Sequence, residues 1–513
     1  MKSSSFKAIV SGNIWGIFGK LLAAVVNFVS LPILLNVYGK SDYGLVGVVM
    51  STNAFLQIVN LGVPMGAVKF FSEWIEGKDE DSLKQGVQSN LLFFTLIAFV
   101  NSAILAYLGY NAGHYFKVSH PAMLSTLFYL SAILTFPNWY FLSLQHVLMG
   151  YERIGQVNLM NSIASILNLV ATLVAYVFKA PLEVYFIIYL GTNMVVIPLS
   201  IYECRRIGAW RREYLFPAWH KRYFRVIIKY SFSLFALGLL QVLAVNVQPL
   251  LLGTMEANGD VAVANYRILQ NVTMLVSLFS STFLASFLPY VSKANYRGDT
   301  EGIRNFVLAT TKWLSVIVFF FCFLIAFNPG QVLSIYVGKQ GSGLEIWLII
   351  WILGVCFNNN QGISSTMLSI GRLRGVIIGV AIASASTIAF SFLFVKKYGV
   401  GIAAASYLLY RVMEAFVIYG YYIPRIMKMR PGLIFGKSIV PPLVVALTAL
   451  GLTKALFYWC VPLEKPFLYM FAFGCVSLAL YALLVYRFCM TVAEREMLGN
   501  AARMLQKVKI VSK

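Results

Sequence analysis

Apolar stretches long enough to cross about 30 Å of hydrocarbon recur along the whole chain. They fall near 12–37, 44–70, 86–110, 121–149, 157–179, 183–203, 230–253, 261–290, 307–328, 345–370, 375–395, 401–423, 438–460 and 467–488. Short polar segments separate them. In lipid each backbone N–H and C=O must pair within its own segment, so runs of this length predict helices. The pattern predicts an all-α polytopic membrane protein with about fourteen transmembrane helices. Lys179-Ala180-Pro181 suits a tight turn between two of them. The first run follows Lys2 and Lys7 with no A-x-A site after it, so it reads as a first span and not a removable signal.

Composition agrees with the pattern. Hydrophobic residues make up 59% of the 513 and charged residues 12%, and mean hydropathy is +0.76. A soluble chain would carry about 25% charge. The net charge of +22 would suggest nucleic acid in a soluble protein. Here the cations sit in short segments between spans, and the positive-inside rule accounts for them. Alternate segments hold about 29 and about 7 of the Lys and Arg residues. That bias makes the first side cytoplasmic and puts both termini there. The longest polar stretch, Glu203–Tyr230, holds Arg205, Arg206, Trp210, Arg211, Arg212 and Trp219. It reads as an amphipathic connector lying on the anionic leaflet. Six scattered cysteines with no CxxC support neither a disulfide framework nor a metal site.

The two halves are alike at matching places. Pro32-Ile33-Leu34-Leu35 and Tyr43 in the first answer to Pro249-Leu250-Leu251-Leu252-Gly253 and Tyr266 in the second. Glu76-Gly77-Lys78-Asp79-Glu80 answers to Arg297-Gly298-Asp299-Thr300-Glu301. Six spans and six spans of like polarity predict two pseudo-symmetric six-helix lobes, with binding near the midplane between them. The expected organisation is an N-lobe over 1–203, a basic connector over 204–229, a C-lobe over 230–424, two further helices over 425–490 and a cytoplasmic tail over 491–513.

A charge at the bilayer centre costs about 2.5–3.5 kcal/mol on insertion scales, so charged residues inside spans need a reason. Lys20 and Lys69 either snorkel to the interface or face an anion-binding cavity. Arg267, with Asn265, Gln270 and Asn271 around it, favours a cavity. Lys454 reads as interfacial. Arg411 and Glu414, three apart, share a helix face and can pair; the pair is structural, or its carboxylate titrates under the influence of the arginine. Amides cluster as Asn53, Gln57 and Asn60, and as Gln241, Asn246 and Gln248. They line a wet cavity or join helices by hydrogen bonds. A cationic, amide-rich cavity suits a phosphate-bearing, sugar-like ligand. It suits a cationic drug poorly, since no acidic residue occurs between Asn13 and Val37.

The order Pro32-Ile33-Leu34-Leu35, Tyr38-Gly39, Tyr43-Gly44, then Leu61-Gly62-Val63-Pro64 and Met149-Gly150-Tyr151-Glu152-Arg153, resembles the polysaccharide-biosynthesis flippases of the multidrug/oligosaccharidyl-lipid/polysaccharide exporter superfamily. Tyr336-Val337-Gly338, Leu368-Ser369-Ile370-Gly371-Arg372 and Tyr398-Gly399-Val400-Gly401 continue the likeness over nearly the whole chain. The resemblance implies a fold related to multidrug and toxin extrusion proteins. It implies flipping of an undecaprenyl-pyrophosphate-linked oligosaccharide to the outer leaflet of a bacterial inner membrane, alongside polysaccharide polymerase machinery. It implies no cofactor and leaves the coupling ion, proton or sodium, open. Asn246 and Gln248 stand where the family often has an acidic residue. The opening Arg-rich motif of the lipid II flippases is absent. Two rivals stand beside this reading: a drug or metabolite antiporter of the same fold, and a membrane glycan polymerase. The polymerase would want paired outer carboxylates, and the outer acids are scattered.

Overall fold

The computed structural model describes residues 3–57, 63–223, 225, 246–370, 374–460, 465–492 and 494–496. Among these there is no strand. Helix α1 (Ser3–Leu56) has 54 residues; unbroken it would reach about 80 Å, far more than a bilayer. It is broken at Gly39, whose φ of 71° and ψ of 179° only glycine adopts without strain. The first two expected spans therefore meet at one residue. Next come α2 (Val63–Glu76), α3 (Glu80–Tyr110), the short α4 (Ala112–Tyr115), α5 (Pro121–Leu134), α6 (Phe136–Gly150), α7 (Ile154–Phe178), α8 (Leu182–Met194) and α9 (Val196–Arg206). A strap over 207–223 leads on. Then follow α10 (246–255), α11 (Gly259–Tyr296), α12 (Thr300–Ala326), α13 (Pro329–Val337), α14 (Glu345–Val355) and α15 (Gln361–Ile370). The last are α16 (Arg374–Tyr398), α17 (Val400–Val417), α18 (Pro431–Ile434), α19 (Val440–Cys460) and α20 (Pro466–Leu484).

Among the described residues eleven helical segments are long and apolar enough to cross a membrane. The expected fourteen includes 230–253, of which 230–245 lies outside the described residues, and 261–290, which falls on α11 and is not among the eleven, and it divides Leu21–Leu56 in two at Gly39. Exposed side chains on these segments are large and apolar, such as Leu96, Phe99, Ile133 and Val177. That is the inverse of a soluble surface and marks the lipid face.

Two compact units are present, one of 1–278 with 377–414 and the other of 279–376 with 415–513. In the first, Phe71, Val87, Phe94, Val147 and Tyr214 form a core between α2, α3, α6 and the strap. Glycines let helices approach. A Cβ on Gly19 would press on Ser162 Oγ of α7, and one on Gly44 would overlap the Asp260 carbonyl at the start of α11. In the second, α12, α19 and α20 pack through Phe319, Phe320, Phe323, Phe473 and Tyr481. Lys454 is held inside that unit, donating to Asn328 Oδ1 at 2.8 Å and Tyr469 Oη at 3.2 Å. Lys312 donates to both oxygens of Glu494 at 2.6 and 2.7 Å.

One turn closes four helix ends. Gly77, Lys78 and Asp79 donate to the carbonyls of Glu73, Ile75 and Trp74. Arg297, Gly298 and Asp299 repeat the same pattern onto Lys293, Asn295 and Ala294, and so do 151–153 and 207–209. The middle residue is left-handed in each: Lys78 (φ 53°), Glu152 (φ 59°), Gly208 (φ 72°) and Gly298 (φ 69°). Asp79 then caps α3 through the Ser82 hydroxyl and amide, which hold its carboxyl below the usual range. Asp299 caps α12 through the Gly302 amide at 2.7 Å. The sequence match between these segments is thus a match of one capped turn. Left-handed backbone costs a side chain about 1–2 kcal/mol. Gly298→Ala is expected to lower thermal stability in detergent, and Lys78→Gly to raise it or leave it unchanged. Melting curves of the two variants check this; a Gly298→Ala protein as stable as the parent would contradict it.

Candidate functional site

Helices of the first unit are interrupted beside two prolines. Pro137 sits at the start of α6, so the chain breaks at Thr135 between α5 and α6. Pro198 lies just inside α9, after a break at Val195. A proline removes one helical N–H and frees the carbonyl four residues earlier. In hydrocarbon such freed groups persist only where protein or water satisfies them. Beside the breaks, side chains turn back onto the backbone: Thr135 Oγ1 donates to Ser131 O at 2.6 Å, and Asn193 Nδ2 donates to Tyr189 O at 3.0 Å.

Both breaks border a cavity of about 710 Å³ lined by α1, α6, α7, α8, α9 and α11. Its lining holds seven asparagines (Asn27, Asn53, Asn138, Asn161, Asn168, Asn193, Asn271) and three glutamines (Gln57, Gln145, Gln270). Tyr43, Tyr185, Tyr189, Trp139 and Phe141 add aromatic faces. Among the described residues Arg267 is the one charged side chain in the wall, and no carboxylate joins it.

Arg267 is fixed from two sides. Its Nη1 donates to Gln270 Oε1 at 3.0 Å, and its Nη2 donates to Ser51 Oγ of α1 at 2.7 Å. Gly47 allows this approach: a Cβ there would meet Val263 Cγ1 at 2.9 Å and Arg267 Cγ at 3.8 Å. Gly44, Gly47 and Ser51 thus form a small-residue edge on α1 against α11, the usual means of close helix approach in lipid. Asp260 completes the joint. Its buried carboxylate accepts from Ser41 Oγ at 2.7 Å and from the Ser119 amide at 3.0 Å.

The other expected site residues divide. Asn53 lines the cavity and donates to Ser131 Oγ at 2.7 Å, and Gln57 and Gln270 line it too. Asn246 is half-buried on α10 and is not part of this wall. Lys69 lies away from it, half-exposed beside Glu73 at 4.0 Å. Lys20 lies on α1 with its side chain outside the described residues, and Gln241 and Asn60 lie wholly outside them. Arg411 Nη1 donates to Glu414 Oε2 at 2.8 Å, and its Nε donates to Tyr407 Oη at 3.3 Å. Tyr407 and Tyr410 lie under the guanidinium. That cation is neutralised within its own helix.

Sequence reasoning passed over Asn138, Gln145, Asn161, Asn168 and Asn193. A signal was there: Asn161, Ser165, Asn168 and Thr172 recur at helical spacing along α7, a polar stripe in an apolar span. Asn168 Oδ1 accepts from Thr192 Oγ1, tying α7 to α8 beside the Val195 break.

The sequence matches the family described as Polysaccharide biosynthesis protein over residues 9–295. The backbone is similar to that of the lipid II flippase MurJ in an inward closed conformation, with TM-score 0.66 and 14% identity over 92% of this chain and 98% of that one. It is also similar to a multidrug resistance MATE family transporter of the MOP superfamily in an inward-facing conformation, with TM-score 0.61 and 14% identity over 81% and 96%. A MOP superfamily transporter from Pyrococcus furiosus matches with TM-score 0.51 and 15% identity over 84% and 96%. At these identities the likeness is one of fold. A comparison with curated protein sequences gives no match.

Two outcomes follow from the geometry. Gly47→Leu would drive α1 from α11 and displace Arg267, so the folded membrane fraction is expected to fall sharply while Gly47→Ala is milder; equal levels for both would contradict the close approach. Glu414→Gln leaves Arg411 without its counter-charge at a cost of about 1–3 kcal/mol, read as a lower melting temperature in detergent. Unchanged stability with altered pH dependence of transport would instead make Glu414 a coupling group.

Proposed function

We propose that this chain, which belongs to the polysaccharide biosynthesis protein family, is a flippase. It carries a lipid-linked oligosaccharide, of the undecaprenyl-pyrophosphate kind, from the cytoplasmic to the outer leaflet by alternating access. The observation that carries the reading is the chemistry of the chamber: ten amides, aromatic faces and one arginine. Each carboxamide offers a carbonyl acceptor and two N–H donors. Sugar hydroxyls both give and take hydrogen bonds, so an amide wall pairs with them without charge. Aromatic rings cover the apolar sugar faces. The volume of about 710 Å³ falls within the range of ligand pockets, about 300–1,000 Å³.

Arg267 would bind a phosphate or an acidic sugar through its planar fork. Lys20 would assist from α1. The lipid tail stays in the bilayer while the headgroup crosses. A cell interior that is negative favours outward movement of anions by about 2.3 kcal/mol per charge per 100 mV, so part of the drive needs no coupled ion. No bond is made or broken, and the wall amides are neither nucleophiles nor acids and bases, which sets the protein apart from a glycan polymerase. In this reading it is a multi-pass protein of a bacterial inner membrane with both termini cytoplasmic. It hands its cargo to polysaccharide polymerase machinery. A cationic drug would want a carboxylate in the wall, which makes the antiporter the weaker reading.

Arg267→Gln and the double change Asn161→Leu/Asn168→Leu are expected to cut surface-glycan export about ten- to a hundredfold at normal membrane levels. Quantifying the surface glycan in a strain that depends on this protein tests it. Undiminished export would remove the chamber from the route. Drug resistance on expression, with no glycan phenotype, would favour the antiporter.

A further inference from the structure

The strap after α9 has an inner and an outer face of different character. Its inner face is nailed to the first unit. Tyr214 is fully buried, and Trp210 packs with it against α2 and α6. Gln88 of α3 donates to Glu213 O at 3.3 Å and accepts from the Ala218 amide at 3.4 Å, while Tyr140 of α6 donates to Leu215 O. Gly208 and Pro217 interrupt helix formation, so 207–220 holds a single 3-10 turn, Arg212–Leu215, and α-helical backbone resumes at Lys221.

The outer face carries two large exposed apolar side chains, Phe216 at 66% and Trp219 at 59% exposure. Arg212, Lys221 and Arg225 stand exposed beside them. Glu80 pairs with Arg211 at 2.5 Å, Glu203 with Arg206 at 2.8 Å and Glu213 with Lys84 at 3.4 Å, and Asp79 caps α3 in the field of Arg222. Among the described residues no acid pairs with the outer three cations. The strap begins within a few residues of the end of α9 and lies over the start of α3, so it sits where two spans leave the hydrocarbon.

We propose that this outer face docks on anionic phospholipid headgroups of the adjoining leaflet. Guanidinium and ammonium groups pair with phosphate oxygens. Trp and Phe settle at the depth of the headgroups. Unpaired cations clustered just beyond a span are the pattern that anionic lipid attracts. A soluble acidic protein would satisfy the charges but would not call for aromatic side chains at bilayer depth. The proposal is independent of what the chamber carries.

Hydrogen exchange on the full-length protein in nanodiscs tests it, comparing phosphatidylcholine alone with phosphatidylcholine containing phosphatidylglycerol. Amides of 211–223 are expected to exchange about tenfold more slowly with the anionic lipid. The protection should vanish at high salt and in Arg212→Gln/Lys221→Gln/Arg225→Gln, and persist in Lys396→Gln/Lys397→Gln, which removes two cations from elsewhere in the unit. Equal exchange in the two bilayers would overturn the proposal. So would protection that survives in the triple variant, or that inorganic phosphate reproduces without anionic lipid. Should the triple variant lose protection around Tyr214 even in detergent, Phe216→Ser/Trp219→Ser decides instead: it keeps the cations and is expected to lose the lipid-dependent protection, and its retention would sink the idea.

Discussion

An amide in hydrocarbon must be hydrogen-bonded or wet, and this constraint organises the first unit. A carboxamide left without a partner in an apolar medium costs several kcal/mol. The chain nevertheless places ten in one wall, on five helices. Only some of them pair across helices, as Asn53 does with Ser131 and Asn168 with Thr192. The remaining donors and acceptors face a volume that must hold water or a polar ligand. The proline breaks at Thr135 and Val195 belong to the same solution, because freed carbonyls are tolerated in a membrane only beside such a space.

The charge in that wall depends on packing some distance away. Arg267 reaches the chamber because Gly44 and Gly47 let α11 lie close on α1, and because Ser51 and Gln270 hold the guanidinium. Asp260, a helical turn or two earlier, ties the start of α11 to Ser41 and Ser119. A site built on rigid helices and small-residue contacts is precise. The same contacts are those that any separation of α1 from α11 would have to break.

Much of the fold was legible in the sequence, because the hydrophobic pattern of a membrane protein reports its solvent directly. The helical character and the repeat at Glu76–Glu80 and Arg297–Glu301 were readable there. The second has a physical identity, one left-handed turn with an aspartate cap. A break between 37 and 44 was legible too, but its confinement to Gly39 was not, since a glycine between Tyr38 and Lys40 reads as part of a longer polar turn. Arg267 stood out because a charge in a span is costly, and Asn53, Gln57 and Gln270, singled out with it, line the same cavity. The α7 stripe escaped because asparagines spaced along an otherwise apolar span look like isolated helix contacts until neighbouring helices show which face they share. Lys69 shows the converse: a lysine near a span end that lies half-exposed beside Glu73.

The account stands or falls on what fills the chamber. A structure of the protein with a lipid-linked oligosaccharide bound would test it most directly. The account predicts sugar density against Asn168, Asn193 and Tyr189, with an acidic group or phosphate on Arg267. Sugar density elsewhere, with only water among these amides, would contradict it.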